Sequence, residues 1–61
     1  MKRLKVIKHL RDHECELQRE GSRHSLYINT LTGAMATVPR HPDIKEGTVR
    51  AICKQLGVPQ I

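Results

Sequence analysis

Aromatic residues are almost missing from this chain: Tyr27 is its one tyrosine, and it has neither tryptophan nor phenylalanine. That excludes a stacking platform of the RRM or OB type, which holds bases against several aromatic faces, and leaves phosphates and sugars as the main nucleic-acid contacts. Cysteine is scarce as well. Cys15 and Cys53, the only 2, form neither a C-x-x-C pair nor part of the dense, even set of a secreted scaffold, so a reduced chain is expected. Long apolar runs are missing too. In Met1-Lys2-Arg3-Leu4-Lys5-Val6-Ile7-Lys8 cations interrupt the apolar residues, which excludes a signal-peptide core or a membrane span and predicts a soluble cytoplasmic protein. No internal repeat, low-complexity run or linker divides the chain.

Acidic residues are outnumbered, with 6 Asp and Glu against 11 Lys and Arg and a formal charge of +5. Charge of that size on a short chain favours a polyanionic partner such as nucleic acid over a merely solvated surface. With 61 residues there is room for one domain, 1–61. A chain this short buries only about 60% of the surface its unfolded form exposes, so a disulfide, a metal or a partner protein often adds stability.

Five short elements follow from periodicity. From Lys2 to about Asp12, Leu4, Val6, Ile7 and Leu10 recur at helical intervals, while Lys2, Lys5, Lys8 and Arg11 form a basic stripe that is a solvated face or a set of phosphate contacts. From His13 the period becomes two. Cys15, Leu17 and Arg19 alternate with Glu14, Glu16, Gln18 and Glu20, as in a half-buried strand ended by the turn formers Gly21-Ser22. Ser25 to Asn29 reads as a second strand, in which Leu26 and Ile28 are expected to face the core and Tyr27 the other side. Asn29-Thr30-Leu31-Thr32-Gly33 is rich in turn formers, with Gly33 able to supply a positive φ. The third strand, Ala34 to Val38, ends where Pro39 and Pro42 bracket Arg40-His41. A closing helix from about Lys45 to Leu56 places Val49, Ile52, Cys53 and Leu56 on one face, with Asp43 as its expected N-cap and Gly57 as its C-terminal cap. The order predicts an α+β fold, α-β-β-β-α, with two helices packed on one face of a three-stranded antiparallel sheet.

Histidine is the residue type to weigh for chemistry. His9 and His13 stand at i, i+4 with Cys15 close by in sequence, a spacing able to hold two metal ligands, but no Glu occupies the general-base position of an H-E-x-x-H motif. No metal site and no cofactor is predicted. His41 reads as a loop residue that holds a turn or meets a phosphate. His24 is placed differently, where a tight turn enters the second strand and presents a side chain at the edge of a rigid sheet.

Three blocks together resemble the HicA toxin family: Gly21-Ser22-Arg23-His24, then Val38-Pro39-Arg40-His41-Pro42, then Ile44-Lys45-Glu46-Gly47-Thr48-Val49-Arg50-Ala51-Ile52-Cys53-Lys54-Gln55-Leu56-Gly57. The resemblance covers nearly the whole chain. The first block is short and common; the closing G-T-[LV]-R-x-I-x-K-Q-x-G helix is the more specific. Two departures stand out, Arg23 where histidine or asparagine is often found, and no glycine before Cys15 where many members carry one. The resemblance implies a double-stranded-RNA-binding-domain-like (dsRBD-like) fold, endoribonuclease activity on mRNA, and control by a HicB-type antitoxin protein. It assigns the catalytic role to His24 alone.

Chemistry supplies the remaining expectations. Imidazole, with an ordinary pKa of about 6.5, can take the proton of a ribose 2′-hydroxyl at neutral pH, which explains a choice of RNA over DNA. A developing phosphorane needs donors nearby, and the candidate RNA contacts are Ser22 and Arg23 beside the histidine, Arg40 between the prolines, and Lys5 and Lys8 of the first helix. Strand alternation leaves open whether Arg23 faces the histidine or points away. A non-catalytic double-stranded-RNA-binding module is the alternative, and a pure protein-interaction domain is a third reading; a membrane or a small-molecule substrate is not expected.

Overall fold

The computed structural model describes residues 1–61. Helix α1 (Arg3–Asp12) leads into strands β1 (Cys15–Glu20), β2 (His24–Asn29) and β3 (Met35–Pro39), and helix α2 (Glu46–Leu56) closes the chain. The strands form an antiparallel meander in the order β1-β2-β3. Both helices pack on one face of it, α1 through Val6, Ile7 and Leu10, whereas Leu4, expected on the same stripe, is 79% exposed. Val6 and Leu10 of α1, Val49, Ile52, Cys53 and Leu56 of α2, and Cys15, Tyr27, Ala36 and Val38 of the sheet form one buried cluster with Ile44. The expected α+β fold, α-β-β-β-α with three antiparallel strands, is the fold observed.

Strand β2 reverses the expected parity. Ser25, Tyr27 and Asn29 are the buried residues, whereas Leu26 and Ile28 lie on the open face and are only half-buried. The physical reason is that both small polar residues are fully satisfied inside. The Ser25 hydroxyl accepts from Arg3 Nη2 at 2.8 Å and donates to the Glu20 carboxylate. Asn29 Nδ2 donates to the Leu56 carbonyl at 2.8 Å while Asn29 Oδ1 accepts from the Leu31 amide at 2.9 Å. A buried polar group costs little when paired, and the inward parity also places Tyr27, the largest side chain of the strand, in the core. Leu26 and Ile28 keep partial cover from Thr37 and Met35, their partners across β3.

Strand β1 departs from its expected alternation for a related reason. Leu17 pairs with Tyr27 but Arg19 pairs with Leu26, so a bulge at Gln18 shifts the register. Such an extra residue turns the following side chains to the other face. Arg19 therefore leaves the face of Cys15 and Leu17, and Glu20 arrives opposite Ser25. Cys15 is the only buried residue of the strand, and Leu17, on the edge, stays 48% exposed.

The helix ends differ in how closely they follow sequence rules. Gly57 sits in the left-handed region at φ 70°, its N–H donates to Lys54, and the Val58 N–H donates back to the Cys53 carbonyl at 3.0 Å. That pair of bonds is the expected glycine cap. Asp43 does not cap α2. The N-cap is Lys45, which makes no side-chain cap bond, and Asp43 is instead bridged to Lys2 in a short pairing that also joins the Ile44 amide to the Met1 carbonyl at 2.7 Å. Glu46 supplies the acidic group of the first helical turn, where it complements the helix dipole.

Candidate functional site

His24 opens β2 directly after the Gly21-Ser22-Arg23 turn. The turn is closed by the Gly21 amide, which donates to the His24 carbonyl at 2.9 Å. A Cβ on Gly21 would stand 2.7 Å from that same oxygen, closer than real side chains come. Only glycine allows this approach. Because Ser25 is locked inward by Arg3 and Glu20, strand alternation turns the adjoining His24 to the open face, where it is exposed.

The Pro39–Pro42 segment comes alongside. Pro39 pairs with His24, and the Arg40 amide extends the ladder to the Arg23 carbonyl at 3.1 Å. Arg40 Nη1 donates to the Gly21 carbonyl at 3.2 Å and lies 3.6 Å from Glu20. That commits one corner of a guanidinium that carries five N–H donors. Arg3 holds the segment at both ends: its Nε donates to the Pro39 carbonyl at 2.9 Å and its amide to the Pro42 carbonyl at 2.8 Å. One side chain thus fixes β2 through Ser25 and the loop through Pro39.

The result is a cleft of about 400 Å³ lined by Ser22, Arg23, His24, Arg40 and His41. Residues from two separate stretches of sequence meet there, four of them cationic or able to become so. Arg23, whose facing strand alternation leaves open, stands in the turn before β2 begins and lines the same cleft as His24.

Lys5 and Lys8 do not line this cleft. Both are exposed on α1, and Lys8 bonds Asp12 at 3.0 Å, a contact that holds the Asp12 carboxyl below its usual range. The rings of His9 and His13 meet at a tilt of 57° with centroids 4.6 Å apart, and His9 Nε2 donates to the Pro59 carbonyl at 2.6 Å, which pins the last residues to α1. No group of three or more His, Cys, Asp and Glu side chains is arranged to hold a metal ion. Tyr27 is 6% exposed and belongs to the core, so no aromatic face is open to a base.

Two further residues belong to the site: His41, read from sequence as a loop residue that holds a turn or meets a phosphate, and Arg3, which sequence reasoning passed over. His41 lines the cleft beside His24. Arg3 organises it from beneath, and its signal was available: a cation standing at helical spacing before Val6, Ile7 and Leu10, on the apolar side and off the Lys2-Lys5-Lys8-Arg11 stripe.

The family model for the HicA toxin of bacterial toxin–antitoxin systems matches residues 4–58. The chain belongs to the HicA toxin family. That match takes in the glycine turn, the segments that carry His24 and His41, and the glycine-capped helix α2. No curated protein and no solved structure matches the chain. Membership of the HicA family makes the protein the toxin component of a toxin–antitoxin pair and implies an antitoxin as partner. No helix is long and apolar enough to cross a membrane.

Proposed function

We propose that this HicA family member acts through residues 1–61 as one RNA-binding and endoribonuclease domain that cleaves mRNA without a metal, with His24 as general base, and that a HicB-type antitoxin inhibits it by covering the cleft. The observation that carries the reading is the exposed His24 imidazole set into a cleft with Ser22, Arg23, Arg40 and His41. In this mechanism His24 removes the proton of a ribose 2′-hydroxyl, the 2′-oxygen attacks the adjacent phosphorus, and the bond to the 5′-oxygen breaks. The products are a 2′,3′-cyclic phosphate and a 5′-hydroxyl. Arg23 and Arg40 supply positive charge to the phosphorane as it forms, the contribution that preorganised donors make best.

Proton abstraction by a positioned base accelerates a reaction by roughly 10²–10⁴-fold, so turnover is slow. Slow cleavage suffices for a toxin whose level is governed by an inhibitor. The test is digestion of a long mRNA in chelator by wild type and His24→Ala, with the product ends analysed. Wild type should leave cyclic phosphate and 5′-hydroxyl ends, and His24→Ala should lose at least about 10² in rate while binding RNA as before. Equal cutting by both, or none by either, would return the dsRBD-like fold to its alternative, a non-catalytic module for duplex RNA. Excess antitoxin should abolish cleavage; undiminished cutting by the stable complex would refute inhibition at the cleft.

A further inference from the structure

Of the histidines, His9 is committed to Pro59 and His13 packs at a tilt against His9, whereas His41 stands in the same cleft as His24 with no part yet in the chemistry. The geometry points to His41 as the general acid of the cleavage, an inference that rests on the endoribonuclease reading of His24.

Three observations converge on it. The two imidazoles arrive from different segments, one at the start of β2 and one just past β3, and line a single cleft. His41 is exposed, yet its backbone is held: prolines flank the Arg40-His41 pair, and Arg3 binds the carbonyls of both Pro39 and Pro42. A catalytic side chain benefits from such a fixed mount. Finally, His41 also lines a neighbouring cleft of about 460 Å³ with Lys45 and Thr48. An RNA strand lying along both clefts passes His41 at their boundary, with the scissile phosphate beside His24 and the departing nucleotide beyond.

The step balances without any further reactant. The proton of the 2′-hydroxyl passes to neutral His24 as the O2′–P bond forms; protonated His41 gives its proton to the 5′-oxygen as the P–O5′ bond breaks. Each ring ends in the other's starting state, and solvent resets the pair. The charged groups that share the two clefts with His41 are Arg23 and Arg40 on one side and Asp43 and Lys45 on the other. The base must be deprotonated and the acid protonated, so the rate rises with pH on one limb and falls on the other.

The experiment compares wild type, His24→Ala and His41→Ala on ordinary RNA and on RNA whose bridging 5′-oxygen at one site is sulfur, a leaving atom that departs without a proton. His41→Ala should be slower by roughly 10²–10³-fold on ordinary RNA, recover to near the wild-type rate on the sulfur substrate, and lose the falling limb of its pH profile. His24→Ala should stay impaired on both. Unchanged cleavage by His41→Ala, or an equal loss on both substrates, overturns the assignment while leaving His24 as base. Wild type that cuts neither substrate overturns the endoribonuclease reading and this inference with it. His41→Asn, tested in parallel, should behave as His41→Ala does; near-normal cleavage of ordinary RNA by it would also overturn the acid role.

Discussion

Glu14 is the only non-glycine residue with a positive φ, 67°. It joins α1 to β1, in the segment before Cys15 that carries no glycine. Its carbonyl is used, accepting the Thr30 amide at 2.9 Å and the Thr30 hydroxyl at 2.8 Å, but that contribution is independent of the side chain. An L-residue in the left-handed region costs about 1–2 kcal/mol that glycine avoids, offset in part by glycine's greater loss of backbone freedom. Glu14→Gly should therefore stabilise the protein by about 1 kcal/mol, read as a rise in melting temperature of roughly 4–8 °C. An unchanged or lower melting temperature would show that the strain is relieved some other way. His24 is the opposite kind of residue. Exposed and outside the core, it should shift stability by no more than about 0.5 kcal/mol when replaced by alanine, so the loss of cleavage expected for His24→Ala should come without unfolding.

At the scale of elements, the tight turn between β1 and β2 sets the position of the proposed base. Gly21 is required there by the 2.7 Å approach a Cβ would make to the His24 carbonyl, a backbone atom that cannot swing aside. Gly21→Ala should cost on the order of 1–3 kcal/mol of stability, as forced overpacking does, and should lower cleavage more than RNA binding because a general base tolerates displacement less than phosphate contacts do. Denaturant titration and single-turnover cleavage on one preparation would check both; normal activity and stability together would show the turn to be more pliant than its geometry indicates. The hairpin turn and the end of α2 were legible from sequence because glycine marks them: Gly33 at φ 81° and Gly57 at φ 70°. The parity of β2 was not. Alternation alone ranks Leu and Ile as core and ignores that Ser25 and Asn29 can be buried cheaply if a guanidinium and a helix-end carbonyl reach them.

Across the whole molecule, the helix layer seals two reduced thiols that the sequence showed only as a scarce residue type. Cys15 and Cys53 are 1% and 0% exposed, and loss of hydration pushes both thiols above their ordinary 9.0, Cys15 also through the nearness of Cys53. A thiol with a folded pKa above its unfolded one favours the folded state while neutral. That stability is complete below the unfolded value and is lost as pH rises through the folded one. The denaturant midpoint should accordingly fall as pH climbs past about 9, and fall less in a Cys15→Ala, Cys53→Ala variant. Identical alkaline slopes would assign the loss to other groups.

Sequence by itself determined the element order, the sheet's antiparallel meander, the basic surface and the candidacy of His24, because these follow from local periodicity, from glycine and proline at turns, and from charge count. Tertiary structure decided what local pattern cannot carry. It brought Arg40 and His41 to His24 from the far side of a hairpin, left Lys5 and Lys8 out of the cleft, turned Leu26 and Ile28 outward, and moved Asp43 from cap to bridge. The cleft and the parity of β2 depend on long-range bonds, above all those from Arg3 to Ser25, Pro39 and Pro42, that form only when α1 packs onto the sheet.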